Sequence, residues 1–228
     1  MMEFLASYGE YWSEWFPRLL EAGRVTLALS ALGFGLALVT GSLLAMLSRS
    51  PCKPLRLVAA AIVEFLRAVP LLALLLALYF GLPAFGLTLS GFWASVIGLG
   101  IQGGAYVAEI LRGGLDSVHR GQREAALAAG LTPRQVFAYI ILPQMLRVIL
   151  PPMVNCYVTL LKDSSLCALI ATPELMLAAR AMSSEYFLPL QIFVLVGLCY
   201  FVIAFPLSVL SRQLSKRLSR GRRSLGTP

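Results

Sequence analysis

Charge is what this sequence has least of. Only 13% of its 228 residues are Asp, Glu, Lys or Arg, against 58% hydrophobic, and mean hydropathy is +0.80. A soluble domain is about a quarter charged, because its surface must face water. Much of this surface therefore faces something apolar, and the run lengths point to one membrane domain. Histidine is nearly absent: His119 is alone, with no other metal ligand nearby, and reads as a loop residue. One histidine outside the membrane cannot complete a nucleophile, base and orienting group, which excludes hydrolytic catalysis. Cys52, Cys156, Cys167 and Cys199 show no CxxC spacing and read as small packing residues, not as a disulfide or metal site. No G-x-x-x-x-G-K-[ST] occurs, so the chain carries no phosphate-cradling loop and is not itself an ATPase. The first twenty residues hold Glu3, Glu10 and Glu14 and lack a basic start with an apolar core, unlike a cleavable signal peptide. Repeats and low-complexity tracts are absent too.

Long apolar runs are what is present. A spanning helix needs roughly 20 apolar residues rising 1.5 Å each. Val25 to Leu47 meets this without a charge, and 68–108 is uncharged but too long for one span. Gly81-Leu82-Pro83 and Phe85-Gly86 break it. The pattern predicts span two near Leu57–Phe80, span three near Phe92–Arg112, span four near Val148–Ile170 and span five near Phe187–Leu210. The net charge of +8 is concentrated in loops: Arg49, Lys53 and Arg56; Arg120, Arg123 and Arg134; and Arg212, Lys216, Arg217, Arg220, Arg222 and Arg223. That is the distribution of cytoplasmic loops rather than of a nucleic-acid interface. The fold class is thus all-α, polytopic, with five spans, the amino terminus outside and the carboxyl terminus inside. Three parts are expected: 1–22 at the outer interface, where the Tyr11–Phe16 aromatics settle; 23–212 as the transmembrane domain; and 213–228 as a basic cytoplasmic tail. The tail reads as a retention and lipid-surface signal, with contact to an ATPase as a second reading.

The loop between spans three and four, 117–143, is the most explicit stretch. Glu124 to Ala129 favours helix and stops at Gly130, a C′ position. Thr132 suits an N-cap, with Pro133 at N1, Gln135 closing a capping box, and Leu131 and Val136 as a hydrophobic staple. Two short helices joined by a sharp bend are predicted, the second docking Phe137, Tyr139, Ile140 and Ile141 on the membrane helices. By capping alone, a loop that serves only the fold explains this equally well.

The spacing Glu124-Ala125-Ala126, Gly130, Ile140, Leu142-Pro143 resembles the EAA signature of ABC importer permeases. The resemblance extends to the polar amino-acid branch of that family, with the MetI-like transmembrane domain of type I importers. It is carried by Thr26-Leu27-Ala28-Leu29-Ser30, Arg67-Ala68-Val69-Pro70 (Ala68 where the family usually has Gly), Ala105–Gly113, Gly121–Ala126 and Lys162–Leu166, and spans roughly 23–210. It implies that Gly121, Gln122, Glu124, Ala125, Ala126, Gly130, Ile140, Leu142 and Pro143 form the coupling segment for a cytoplasmic ATPase. It also implies an ABC ATPase dimer that binds ATP and Mg, a second permease subunit (identical or related), a periplasmic solute-binding protein, and the inner membrane of a bacterium. The chain itself would hold no cofactor or metal, and would not be an enzyme.

Ionisable residues within spans are costly and default to functional candidates. Glu64 and Arg67 lie about 10 and 15 Å along span two from Leu57. Three residues apart, they read as a self-neutralising pair, or else Arg67 holds a substrate carboxylate while an acid holds its ammonium. Glu64, Glu109 and Asp163 are the candidate acids, Ser164 and Ser165 candidate donors, with Pro70, Tyr106 and Lys162 completing the pathway set. Glu109 reads equally as a gate or a partner of Arg112, and Lys162 as a partner of Asp163. The competing function is a secondary transporter or channel for a small zwitterion that needs no ATPase, and a third reading is a structural scaffold.

Overall fold

The computed structural model describes residues 2–219, with side chains described within 7–218. Arg220, Arg222 and Arg223 of the expected basic tail lie outside the described residues. Among the described residues every regular element is helical. Four stretches are long and apolar enough to cross a membrane: Ser7–Leu47, Gly91–Asp116, Pro133–Ile170 and Pro189–Leu218. A bent pair, Lys53–Ala68 with Leu71–Phe85, makes the fifth. The five-span, all-α organisation is present, with three changes of detail.

The first is the length of α1 (Met2–Leu47), which runs unbroken for 46 residues, roughly 69 Å at 1.5 Å per residue. No boundary falls near Val25; the aromatic stretch is the outer part of the same helix. Helical period divides its rings. Trp15 is fully buried, stacked on Tyr11 at 5.5 Å and edge-on to Tyr186 at 5.6 Å, whereas Trp12 and Phe16 face outward. Second, span two is broken into α2 (Lys53–Ala68) and α3 (Leu71–Leu76), bent by 104° at Val69-Pro70. Pro70 removes an N–H, and a residue before proline is driven from helical to extended backbone, as Val69 is at ψ 131. The chain then tightens through Ala77–Gly81 and Leu82–Phe85, ending at Gly86 with φ +79.

Third, the expected second short helix of the cytoplasmic loop is no separate element. After α4 (Gly91–Asp116) and α5 (Arg120–Ala128), α6 (Pro133–Gln135) passes through a wide turn, Val136–Ile141, into α7 (Leu142–Asp163). It is the start of span four. Phe137 and Tyr139 are therefore exposed rather than docked, and Val136 is the residue buried there. Span four ends in the 3₁₀ segment Ser164–Ile170. An unexpected helix, α8 (Leu175–Tyr186), precedes α9 (Pro189–Ser219).

Close backbone approach holds α1 to α4, the most extensive helix pair. A Cβ on Gly41, Gly100 or Gly104 would come within 2.7 Å of the opposite helix. Lipid tails are as apolar as Leu, so spans associate through such packing and through interhelical hydrogen bonds, not through hydrophobic drive. Thr40 supplies one, donating to the Gly100 carbonyl at 3.1 Å. The connection into α8 is fastened by polar contacts. Glu174, fully buried, accepts from the Met176 and Leu177 amides at 2.9 Å and from the Tyr200 hydroxyl at 2.7 Å. Thr26 of α1 accepts from the Leu175 amide at 3.1 Å, and Ser95 bonds Thr172 at 2.8 Å.

Candidate functional site

The break in span two creates the site. Without the Pro70 N–H, the Leu66 carbonyl loses its helical donor. The Gln102 amide of α4 replaces it, donating to Leu66 at 3.3 Å and to Val69 at 2.7 Å. This bond pins the last turn of α2 to α4 and leaves Arg67 at the α2 C-terminus, where a cation suits the helix dipole. Between α2, α4 and α7 lies a cavity of about 390 Å³. Arg67 and Leu71 contribute from the broken span. Gln102, Tyr106, Glu109 and Ile110 come from one face of α4; Pro152, Asn155, Cys156, Thr159, Leu160 and Asp163 recur at helical period on α7. Its volume falls within the roughly 300–1,000 Å³ of small-molecule sites.

Charges of both signs meet there. Arg67 lies 3.4 Å from Glu64, 4.0 Å from Glu109, and 6.0 Å from the centroid of the Tyr106 ring. Glu109 also accepts two bonds from Arg112, at 2.6 and 3.0 Å. Of the residues singled out by sequence, the cavity collects Arg67, Tyr106, Glu109 and Asp163. Glu64 lies in a neighbouring cleft with Arg56, Glu109 and Arg112. Pro70 shapes the bend but is outside the lining. Lys162 faces away, beside Tyr200 and Arg212, and makes no ion pair with Asp163 within 4.0 Å. Ser164 is fully buried and bonded to the Leu161 carbonyl at 2.7 Å, and Ser165 is half-buried. Neither serine lines the cavity, because the helix tightens just after Asp163 and carries them off its face. Gln102, Asn155 and Thr159 were not singled out.

The second candidate region is the cytoplasmic loop. His119 caps α5, its Nδ1 accepting from the Gly121 amide at 3.1 Å. The helix ends in a Schellman motif: the Leu131 amide reaches the Ala126 carbonyl at 3.2 Å and the Gly130 amide reaches Leu127 at 3.0 Å. Gly130 has φ +86, a left-handed conformation that favours glycine. Thr132 and Gln135 form the expected capping box. Gln122 and Gln144 pair at 2.6 Å, tying α5 to the beginning of α7, and Gln144 also donates to the Ile140 carbonyl at 2.9 Å. Glu124 and Ala125 are exposed, Ala126 is buried, Leu142 is half-buried and Pro143 exposed. An exposed, rigidly capped helix is thereby presented at the end of spans three and four.

Residues 37–220 match the family described as binding-protein-dependent transport system inner membrane component. The chain belongs to that family. Relatives of this inner membrane component include the probable glutamine ABC transporter permease protein GlnM of Bacillus subtilis (strain 168), 38% identical over 205 residues, 90% of this chain and 95% of the relative. The glutamine transport system permease protein GlnP of Escherichia coli (strain K12) is 36% identical over 204 residues, 89% of this chain and 93% of the relative. Among solved structures, that of an amino acid ABC transporter with histidines superposes with a TM-score of 0.82 at 32% identity, covering 93% of this chain and 97% of its own. The fold is that of type I ABC importer permeases, and the component is the non-catalytic membrane permease of its transporter.

Proposed function

We propose that this permease carries a polar amino acid across the cytoplasmic membrane of a bacterium by alternating access, energised by a separate ATPase dimer. The observation that carries this reading is the cavity itself: Arg67 on one side and Glu109 and Asp163 on others oppose a cation to carboxylates, as the carboxylate and ammonium of an α-amino acid require. The names of the relatives, glutamine permeases and an amino acid transporter with histidines, support the solute class. The exposed α5 helix, stopped at Gly130, is the coupling segment that the ATPase grips, with Gln122, Glu124 and Ala125 at its surface, Gly121 half-buried, Ala126 buried beneath them, and Ile140, Leu142 and Pro143 at its base. The partner ATPase binds ATP and Mg; this chain needs no cofactor. A second permease copy or a paralogue completes the pathway, and a periplasmic solute-binding protein delivers the solute. The basic loops place the amino terminus outside and the carboxyl terminus inside. Nucleic acid has no part in it.

The test is reconstitution with the ATPase and the binding protein in proteoliposomes, following labelled L-glutamine and L-histidine. Uptake of either is expected to require ATP and to disappear with Arg67→Met while the complex still assembles. Uptake that persists without ATP hydrolysis would instead establish the secondary-transporter alternative. Loss of assembly with Arg67→Met would return Arg67 to a structural role.

A further inference from the structure

A run of alternating charges leads from the cavity to the cleft that α5 lines. Beyond Arg67 and Glu109, Arg112 lies on the next turn of α4 and reaches two carboxylates at once. Its Nε and Nη2 hold Glu109, while Nη1 approaches Asp116 at 3.5 Å. The spacing is i−3 and i+4, so both carboxylates sit on the same face of one helix. Asp116 is shared in turn, because Arg49, in the turn after α1, donates to its other oxygen. Arg49 and Asp116 line a polar cleft of about 650 Å³ together with Arg120, Arg123 and Glu124 of α5. The order in space is therefore solute cavity, Glu109, Arg112, Asp116, Arg49, coupling helix.

We propose that Arg112 is a positioning residue whose choice between Glu109 and Asp116 governs whether Glu109 is free to receive a solute ammonium. This rests on the assignment of Glu109 to the solute site. In the arrangement seen, Arg112 is forked onto Glu109 and Arg49 neutralises Asp116, so Glu109 is occupied by an internal cation. A guanidinium has five donors and one charge, and it cannot hold both acids equally well. If movement of α5 draws Arg49 off Asp116, the uncompensated carboxylate attracts Arg112 and releases Glu109. Displacement at the cytoplasmic face thereby becomes a change in solute affinity one to two helical turns away. Surface packing alone would give no such link, since α4 is a single rigid helix across this stretch.

The readout is equilibrium binding of tritiated L-arginine and L-glutamine to the purified permease–ATPase complex, without binding protein. Arg112→Gln removes the internal competitor and is expected to tighten binding about fivefold, the scale of one partly exposed ion pair. Asp116→Asn removes the alternative acid, commits Arg112 to Glu109, and is expected to weaken binding by a similar factor. The double variant should follow Arg112→Gln alone, and Arg112→Lys should restore most of the wild-type affinity. Glu109→Gln should weaken binding and erase the difference between the other two. If Arg112→Gln and Asp116→Asn shift affinity in the same direction, or neither shifts it, while Glu109→Gln still weakens it, the positioning role is wrong and the solute site survives. If Glu109→Gln leaves binding unchanged, the site assignment itself fails. Should Arg112→Gln not assemble, Asp116→Asn decides the matter, since it leaves both Glu109 and Arg112 in place.

Discussion

Replacing Gly104 by alanine adds one methyl group at the tightest point of the α1–α4 contact. The new Cβ would lie 2.1 Å from the Thr40 hydroxyl oxygen, 3.0 Å from its Cβ and 3.2 Å from the Gly41 amide nitrogen. Carbon contacts are favourable near 3.5–4.0 Å, so the helices must part by roughly an ångström or Thr40 must rotate. Rotation gives up the bond from Thr40 to the Gly100 carbonyl, worth about 1 kcal/mol, and the backbone neighbour at Gly41 remains too close. Overpacking costs about 1–3 kcal/mol, and the better helix propensity of alanine returns about 1 kcal/mol of it. With the lost bond included, a net loss of about 1–3 kcal/mol is expected. Gly35→Ala on α1 is the matched control: its Cβ meets nothing within 4 Å, so only the propensity gain remains. For a chain of this size, about 1 kcal/mol moves a thermal midpoint by roughly 2–4 °C. The midpoint in detergent, read by retained monodisperse protein after heating, should therefore fall by several degrees for Gly104→Ala and hold or rise for Gly35→Ala. Thr40→Ala should be less harmful with Gly104→Ala than alone, because it removes the atom that clashes. Equal midpoints for the two glycine variants would refute the close-approach reasoning.

Glu174→Ala removes the cap of α8 and strands the Tyr200 hydroxyl; a loss of about 2–3 kcal/mol is expected, seen as a lowered thermal midpoint, with Glu174→Gln milder. Gly130→Val forces a β-branched residue into φ +86, and copurification of the ATPase should drop sharply while membrane insertion, measured by the level of protein in the bilayer fraction, is unchanged. The hydrogen bond from Arg18 holds the Glu185 carboxyl below the usual carboxylate range. The folded state therefore binds fewer protons than the unfolded one. The small stabilisation is complete above the ordinary carboxylate pKa and fades as pH falls through the depressed one. Midpoints measured from pH 7 to pH 3 should show that fall steeper in wild type than in Glu185→Gln.

Five apolar segments were legible because length and charge distribution are bulk properties, insensitive to where a helix begins. Boundaries were not. Nothing in Tyr11–Arg24 marks α1 as continuing, since a helix that packs Trp15 against α8 looks, in sequence, like an interfacial one. The capping chemistry at Thr132, Gln135 and Gly130 was read correctly because it is local. What followed Gln135 was misjudged, since continuation into α7 depends on neighbours far along the chain. Among site residues, charges drew notice for their cost in a membrane, and Arg67, Glu109 and Asp163 do meet at one cavity. Uncharged polar groups escaped for the converse reason. Asn155 and Thr159 stand eight and four residues before Asp163, on its own face of α7, and that spacing could have found them. Gln102 had a fainter signal: Pro70 strips a donor from a buried carbonyl, which obliges some amide elsewhere to supply one.

Gln102 also shows how α4 divides its labour. At about 100° per residue, Gly100 and Gly104 point away from Gln102 and Tyr106 by roughly 200°. One face is thus flush against α1, with no room for a methyl group, while the opposite face presents the cavity. Packing of that density resists sliding, so in the proposed transport cycle α1 and α4 travel together as one body. The cavity's other walls are separate elements. They consist of α2 and α3, which meet at the Pro70 bend and rest on α4 through the Gln102 amide, the Arg67–Glu109 ion pair and the buried Leu75 against Gly98, and of α7, which carries Pro151 and Pro152. Arg67 rides on the first of these and Asp163 on the second, whereas Glu109 belongs to the rigid body. In the proposed cycle, a change in cavity shape that moves these elements changes the distances from Arg67 and Asp163 to Glu109. Opposed charges carried by separate elements are what a site needs if it is to grip a zwitterion in one state and release it in the next.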